Sequence, residues 1–185
     1  MFRPSFLVAL NNLPKGQIIK GVEIGTMEGI NAANMLNACD RLTLVCVDIV
    51  KQPKAVEALA PHADRVNYII KPSVETAKDF PDNHFDYVYI DGAHDEKNVY
   101  ADMVAWFPKL RLGGVFSGHD WWYSGVRAGV RKFFTTEKFQ YIYGVQHYSE
   151  QAIPAAYAAF MDWWFIKAGH KKEQNEKSRE KTFYI

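Results

Sequence analysis

Apolar residues fall along this chain in two alternating rhythms. Short, nearly continuous runs appear at IIKGVEIG (18–25), LTLVCVDIV (42–50), RVNYIIK (65–71), FDYVYID (85–91), GGVFSGHD (113–120), FQYIYGV (139–145) and MDWWFIK (161–167). Runs of this kind predict strands covered on both faces, because a half-exposed strand would alternate apolar with polar residues. Between the runs the spacing becomes helical. Ile30, Ala33 and Leu36 share one face, and PKAVEALAPHA (53–63) opens on a proline suited to a first helical turn. SVETAKDF (73–80) follows the third run. Val99, Met103, Trp106 and Leu110 then recur at i, i+4, i+7 and i+11, and Val126, Val130, Phe133 and Phe134 mark one more amphipathic series.

Five strand–helix units in succession predict a parallel sheet with right-handed crossovers and helices on both faces. The last two runs have no helix-sized periodic segment between them, which predicts an antiparallel end to the sheet. The expected class is α/β: a Rossmann-like, doubly wound, mostly parallel seven-stranded sheet with an antiparallel final strand. One domain of 185 residues suits this plan. Residues 1–19 are expected to form a helical segment packed on the sheet. The charged tail, 170–185, is expected to be a solvated helix or a frayed end.

Composition narrows the function classes. Apolar residues make up 48% of the chain, which is globular rather than disordered. Twenty-two basic residues against 21 acidic leave a net charge of +1, which argues against nucleic acid as the main partner. No run approaches the roughly 18–20 apolar residues of a membrane span, and the N-terminal stretch lacks a cleavage site, so a cytoplasmic protein without a membrane partner is expected. Cys39 and Cys46 have no CxxC spacing and are expected to be buried free thiols of a reducing compartment. His62, His84, His147 and His170 have no ligand-like spacing and are assigned to the surface.

The strand ends carry the candidate chemistry. VEIGTMEGIN places Glu23, Gly25 and Gly29 between a strand and a helix, where glycine allows a tight turn and close approach to a ligand. This is not the GxGxxG of dinucleotide sites, and a structural turn alone accounts for such a loop about as well. Asp48, at the end of the second run, follows at about the interval where adenosine-binding sheets present a ribose-binding acid; its other role is to cap the next turn. The fourth run ends on Asp91 with His94 just beyond, and the fifth ends on His119 and Asp120.

Together, VEIGTMEGIN, LVCVDIV and the stretch from Asp91 to Asp120 resemble the class I S-adenosylmethionine-dependent methyltransferases, more narrowly the small macrocin-type sugar O-methyltransferases. The resemblance covers about residues 20–135, and DWWFIK is similar to the family's closing strand. It implies S-adenosylmethionine as cofactor and S-adenosylhomocysteine as product. It implies cofactor contacts at Glu23, Gly25, Thr26, Gly29, Asp48, Ser73 and Asp91. Without the family, Ser73 reads as the N-cap of the following helix.

An alcohol holds its proton tightly, so its methylation calls for a general base, a divalent cation, or both. The resemblance implies His94 as base beside Asp91, with Asp91, His119 and Asp120 as metal ligands. His119 departs from the oxygen donors of magnesium-dependent relatives. It leaves three arrangements open: magnesium with fewer protein ligands, a softer ion such as manganese or zinc, or no metal, with His119 then a second base facing the substrate or paired with Asp120 in a structural hydrogen bond. Trp121 and Trp122 are expected to wall the cofactor or the acceptor rather than fill the core. HYSEQAIPAAYAAF (147–160) is expected to shape the acceptor pocket or a subunit contact. The short segment before Glu23 leaves either an open site for a large glycan or one covered by a second subunit of a homo-oligomer.

The expected function is methyl transfer to a hydroxyl of a sugar or glycosylated small molecule. The alternatives are a catechol-like or other phenolic O-methyltransferase, a nicotinamide-dependent oxidoreductase, and a non-catalytic cofactor-binding protein.

Overall fold

The computed structural model describes residues 3–136, 142–147 and 162–167. Helix α1 (Pro4–Asn12) leads into β1 (Ile19–Ile24), α2 (Ile30–Ala38), β2 (Leu42–Asp48), α3 (Pro53–Leu59) and β3 (Val66–Ile70). Then come α4 (Ser73–Thr76), β4 (Phe85–Ile90), α5 (Glu96–Trp106), β5 (Leu110–Gly118), α6 (Ser124–Thr136), β6 (Ile142–His147) and β7 (Trp163–Lys167). The sheet runs β3-β2-β1-β4-β5-β7-β6. The five strands from β3 to β5 are parallel, while β7 is antiparallel to both of its neighbours.

Strand alternation divides the core into two layers. Val22, Ile24, Val88, Ile90 and Phe116 point to a layer closed by Val99, Met103 and Trp106 of α5 and Val126, Val130 and Phe133 of α6. Ile19, Leu42, Leu44, Tyr87 and Tyr89 point to the opposite layer, where Phe6 and Ala9 of α1 and Ala32, Met35 and Leu36 of α2 pack. The N-terminal helix therefore docks on the sheet as expected, with the Phe6 ring edge-on to Tyr87 at 5.4 Å between centroids. Two buried tyrosine hydroxyls would each cost roughly 1–3 kcal/mol if left unpaired. Ser5 Oγ lies 3.0 Å from Tyr87 Oη, and Tyr89 Oη donates to Asp162 at 2.9 Å. Asp162 also accepts from Ser5 Oγ at 2.6 Å and from the Ser5 amide, which ties α1 to the residue just before β7.

Three local expectations change. Leu110 is not on the last turn of α5; that helix stops at Trp106, a 3-10 turn spans Phe107–Lys109, and Leu110 begins β5. Pro108 has no N–H for the helical ladder, and that ends the helical period early. Ser73 is not an N-cap: Pro72 holds that position and Ser73 opens α4. His62 is buried, not on the surface, with Nδ1 3.1 Å from Arg65 Nη2. Cys39 and Cys46 are both free and buried, and burial pushes the Cys46 thiol upward, which keeps it protonated. Residues 148–161 and the tail from 168 lie outside the described residues, and with them most of the segment expected to shape the acceptor pocket.

Candidate active site

At β1 the chain order splits: β2 and β3 lie on one side, β4 and β5 on the other. A split of this kind opens a crevice at the carboxyl ends of the strands. A cavity of about 840 Å³ occupies it, within the roughly 300–1,000 Å³ of small-molecule sites. Glu23 near the end of β1 with Gly25 and Thr26 after it, Asp48 at the end of β2, Ser73 beyond β3, Asp91 and His94 after β4, and His119 and Asp120 after β5 all line it.

The glycine loop is tight because its neighbour leaves no room. Gly25 has φ +85°, and a Cβ there would stand 2.2 Å from the Asp91 carbonyl oxygen. Asp48 then braces the loop from β2. Its Oδ2 accepts from the Met27 amide at 2.7 Å and its Oδ1 from the Val50 amide at 3.2 Å. Asp48 thus holds its own turn, as a capping acid would, and also presents its carboxylate to the cavity.

Glu23 sits deeper. It is buried, its Oε1 accepts from Asn31 Nδ2 at 2.7 Å, and its Oε2 has no hydrogen-bonding partner among the described residues. Burial pushes its carboxyl up to about 8; the Asn31 hydrogen bond opposes that shift and the nearby Asp91 charge adds to it. Asn31 Oδ1 in turn accepts from Arg3 Nε at 3.1 Å. Neither Arg3 nor Asn31 belonged to the expected site. Asn31 stands two residues past Gly29 and could have been taken with the loop, whereas nothing in the sequence around Arg3 links it to a strand end.

Adjacent tips of β4 and β5 bring the polar residues together, as the parallel pairing of Ile90 with Gly118 requires. His94 Nε2 lies 2.8 Å from Asp120 Oδ2. Its ring stacks on Tyr123, with centroids 4.8 Å apart. Asp120 has φ +57°, a left-handed conformation that aspartate tolerates better than most residues. His119 Nδ1 lies 3.4 Å from Asp91 Oδ1 and 3.3 Å from Asp120 Oδ1. Burial alone would lower the His119 imidazole, but hydrogen bonds to Asp120 and Asp91 outweigh it and push the group up to about 9. Burial opposes the Asp120 carboxylate, yet the histidines and the Trp122 indole hold it below its ordinary range.

These positions rearrange the expected metal set. Among the described residues, the side chains whose ligand atoms all fall within 4.8 Å of one another are Asp91, His94 and Asp120. His119 lies outside that set, with Nδ1 between the two carboxylates and Nε2 buried without a hydrogen-bonding partner among the described residues. The tryptophans also move. Trp121 is 8% exposed and belongs to the core layer, and neither it nor Trp122 lines the cavity. Trp122 is 41% exposed, and its indole donates to Asp120 Oδ1 at 3.3 Å. Ser73 lines the cavity and accepts from Trp106 Nε1 at 2.7 Å. The buried Asp102 stands beside it, and burial pushes its carboxyl up to about 6 against a hydrogen bond from Ser73.

A doubly wound sheet with an acid-tipped second strand and a glycine turn at the switch point is the architecture in which open α/β proteins place their ligands at the strand ends. The profile of a family described as a methyltransferase domain matches residues 22–121, more than half of the chain. The chain belongs to that family.

Solved structures share the fold. A Corynebacterium glutamicum protein has 16% identity and a TM-score of 0.67, with 91% of this chain and 81% of that one covered. A putative caffeoyl-CoA O-methyltransferase from Staphylococcus aureus has 18% identity and a TM-score of 0.61, covering 89% and 80%. MycE, a methyltransferase of mycinamycin biosynthesis in complex with Mg, S-adenosylhomocysteine and mycinamycin VI, has 17% identity and a TM-score of 0.62, covering 88% of this chain and 48% of MycE. A search of curated proteins finds no match. No described helix is long and apolar enough to cross a membrane.

Proposed function

We propose that this protein is an S-adenosylmethionine-dependent O-methyltransferase whose acceptor is a hydroxyl of a sugar or glycosylated small molecule. The observation that carries the reading is the 2.8 Å pair between His94 Nε2 and Asp120 Oδ2 at the rim of the cofactor-sized cavity. A carboxylate only accepts, so Nε2 bears the hydrogen and a neutral ring keeps its lone pair on Nδ1. His94 is then an oriented base for the acceptor's O–H. The similarity to MycE supports a glycosylated acceptor, and the similarity to the caffeoyl-CoA enzyme supports oxygen as the acceptor atom.

When bound, S-adenosylmethionine supplies a methyl group on a positively charged sulfur, poised for direct displacement by the acceptor oxygen. The protein's residues do the rest. Asp48 offers its carboxylate to the ribose hydroxyls, and the Gly25 turn lets the ligand approach the backbone. His94 removes the hydroxyl proton as the oxygen–carbon bond forms. Asp120 stabilises the imidazolium produced on His94, while His119 offsets the charge of Asp91 and Asp120.

A second reading has its own observation. Asp91, His94 and Asp120 together would suit a divalent ion, which would acidify the acceptor hydroxyl. His94 cannot give one lone pair to both roles, so the readings separate. His94→Ala should slow methyl transfer by about two to four orders of magnitude and leave S-adenosylhomocysteine affinity unchanged. Full turnover after thorough chelation supports His94 as base. Turnover lost on chelation and restored by manganese or magnesium supports the ion. Unimpaired turnover in His94→Ala would remove both roles from this residue.

A further inference from the structure

We infer that Arg3, from the start of the N-terminal helix, grips the carboxylate of the cofactor's amino-acid end, so that docking of α1 completes the cofactor site. The inference rests on the S-adenosylmethionine reading and adds to it a residue far from every motif in the chain.

Strand order sets the direction of the bound ligand. Asp48, the ribose acid, stands at the tip of β2; β1 comes next and β4 lies beyond it. A nucleoside held at β2 therefore points its other end across β1 toward the tip of β4. Arg3 lines the cavity on that side, with Nη2 3.9 Å from Asp91 Oδ2. Three contacts fix the guanidinium. Its Nε donates to Asn31 Oδ1 at 3.1 Å, its Cζ lies 5.9 Å from the centre of the Tyr89 ring, and Nη1 lies 3.9 Å from Asp162 Oδ1.

The fork of the guanidinium is held but not consumed. Both carboxylate contacts, at 3.9 Å, are too long for hydrogen bonds, and Nε makes the side chain's one hydrogen bond among the described residues. Asp162 is already satisfied by Ser5 and Tyr89. The terminal nitrogens are therefore free to meet a carboxylate two-pronged, the geometry that arginine favours. Charge agrees. Glu23 and Asp91 would draw an ammonium and a sulfonium; His119, which lines the same end, is already engaged between Asp91 and Asp120, and that leaves the Arg3 guanidinium to meet a carboxylate. The anchoring of α1 through Ser5 and Asp162 keeps the guanidinium in place before the ligand arrives.

The test compares two ligands that share the nucleoside and differ in the amino-acid end. Calorimetry with S-adenosylhomocysteine and with 5′-methylthioadenosine is run on the wild type, Arg3→Met and Arg3→Lys. Arg3→Met keeps an apolar stem over Tyr89. It should weaken S-adenosylhomocysteine by about 10- to 100-fold and change 5′-methylthioadenosine by less than about twofold. Arg3→Lys should recover part of the loss, since it restores the charge but not the fork. Equal weakening of both ligands would mean that Arg3 only packs the helix, and no weakening of either would remove it from the site; each overturns the inference. If the wild type binds 5′-methylthioadenosine as tightly as S-adenosylhomocysteine, the nucleoside reading stands and the carboxylate grip falls. If it binds neither, the cofactor reading falls and the inference with it.

Discussion

The two sides of the crevice are held in different ways. At β1 and β2 the shape comes from the backbone: Gly25 turns against the Asp91 carbonyl, and Asp48 spends hydrogen bonds on the Met27 and Val50 amides. At β4 and β5 it comes from side chains: His94 is stacked on Tyr123 and bonded to Asp120, and is 41% exposed. A side fixed by the backbone suits a ligand that never changes. A side built from exposed side chains can be altered without disturbing the sheet, which is where an acceptor specificity is expected to reside.

The harshest way to break this comparison is to add one methyl group to the backbone side. Gly25→Ala places a Cβ 2.2 Å from a carbonyl oxygen and forces an L-residue to φ +85°. Cofactor affinity should fall by more than about 100-fold, whereas His94→Ala on the opposite side should leave it unchanged. Near-normal binding in Gly25→Ala, measured by calorimetry, would show that the turn yields and that the backbone does not define this side.

A smaller effect is expected at Asp48. Asp48→Ala should weaken S-adenosylhomocysteine by about 1.5–3 kcal/mol, the range for hydrogen bonds to a charged group. The loop should also loosen, because the Met27 amide loses its acceptor. Asp48→Asn sharpens the comparison: it keeps an acceptor for the turn and loses the charge offered to the ribose. Affinity recovered in Asp48→Asn would assign the acid to bracing the loop, while affinity still lost would assign it to the ligand.

How much was legible in the sequence follows the same division. Strand and helix order could be read because buried parallel strands leave continuous apolar runs, and the tips of β1, β2, β4 and β5 follow from where those runs stop. Asp48, Asp91 and His94 were therefore placed from the sequence alone. Side-chain partnerships were legible only in part. The pairing of His119 with its neighbour Asp120 was among the expected roles, but the approach of His119 to Asp91 and the bond of Asp120 to His94 accompany a left-handed turn at Asp120 that spacing does not encode. Trp121 goes into the core and Trp122 to the surface because neighbouring residues beyond a strand end diverge. Arg3 was invisible for a different reason: a helix packed back across the sheet brings it next to residues more than twenty positions away, and no local pattern records such a return.

The mildest and most discriminating prediction concerns Glu23. Burial holds its carboxyl at about 8, against 4.5 for the free group, so at pH 6 the folded protein keeps this side chain neutral. Two consequences run in opposite directions. For the ligand-free protein, the unfolded chain releases this proton from about pH 4.5 and the folded chain only near 8. The group's contribution to stability is therefore present below 4.5 and is lost as pH rises toward 8. For the complex, an ionised Glu23 attracts the cofactor's ammonium, so affinity should rise over the same interval, by up to about tenfold per pH unit. Measurement between pH 6 and 7.5 keeps that ammonium largely charged. S-adenosylhomocysteine affinity should climb while the melting temperature of the free protein declines, and Glu23→Gln should flatten both slopes. Flat affinity in the wild type would mean that the ammonium is met elsewhere, with Asp91 and Asp120 as the other acids at that end of the cavity.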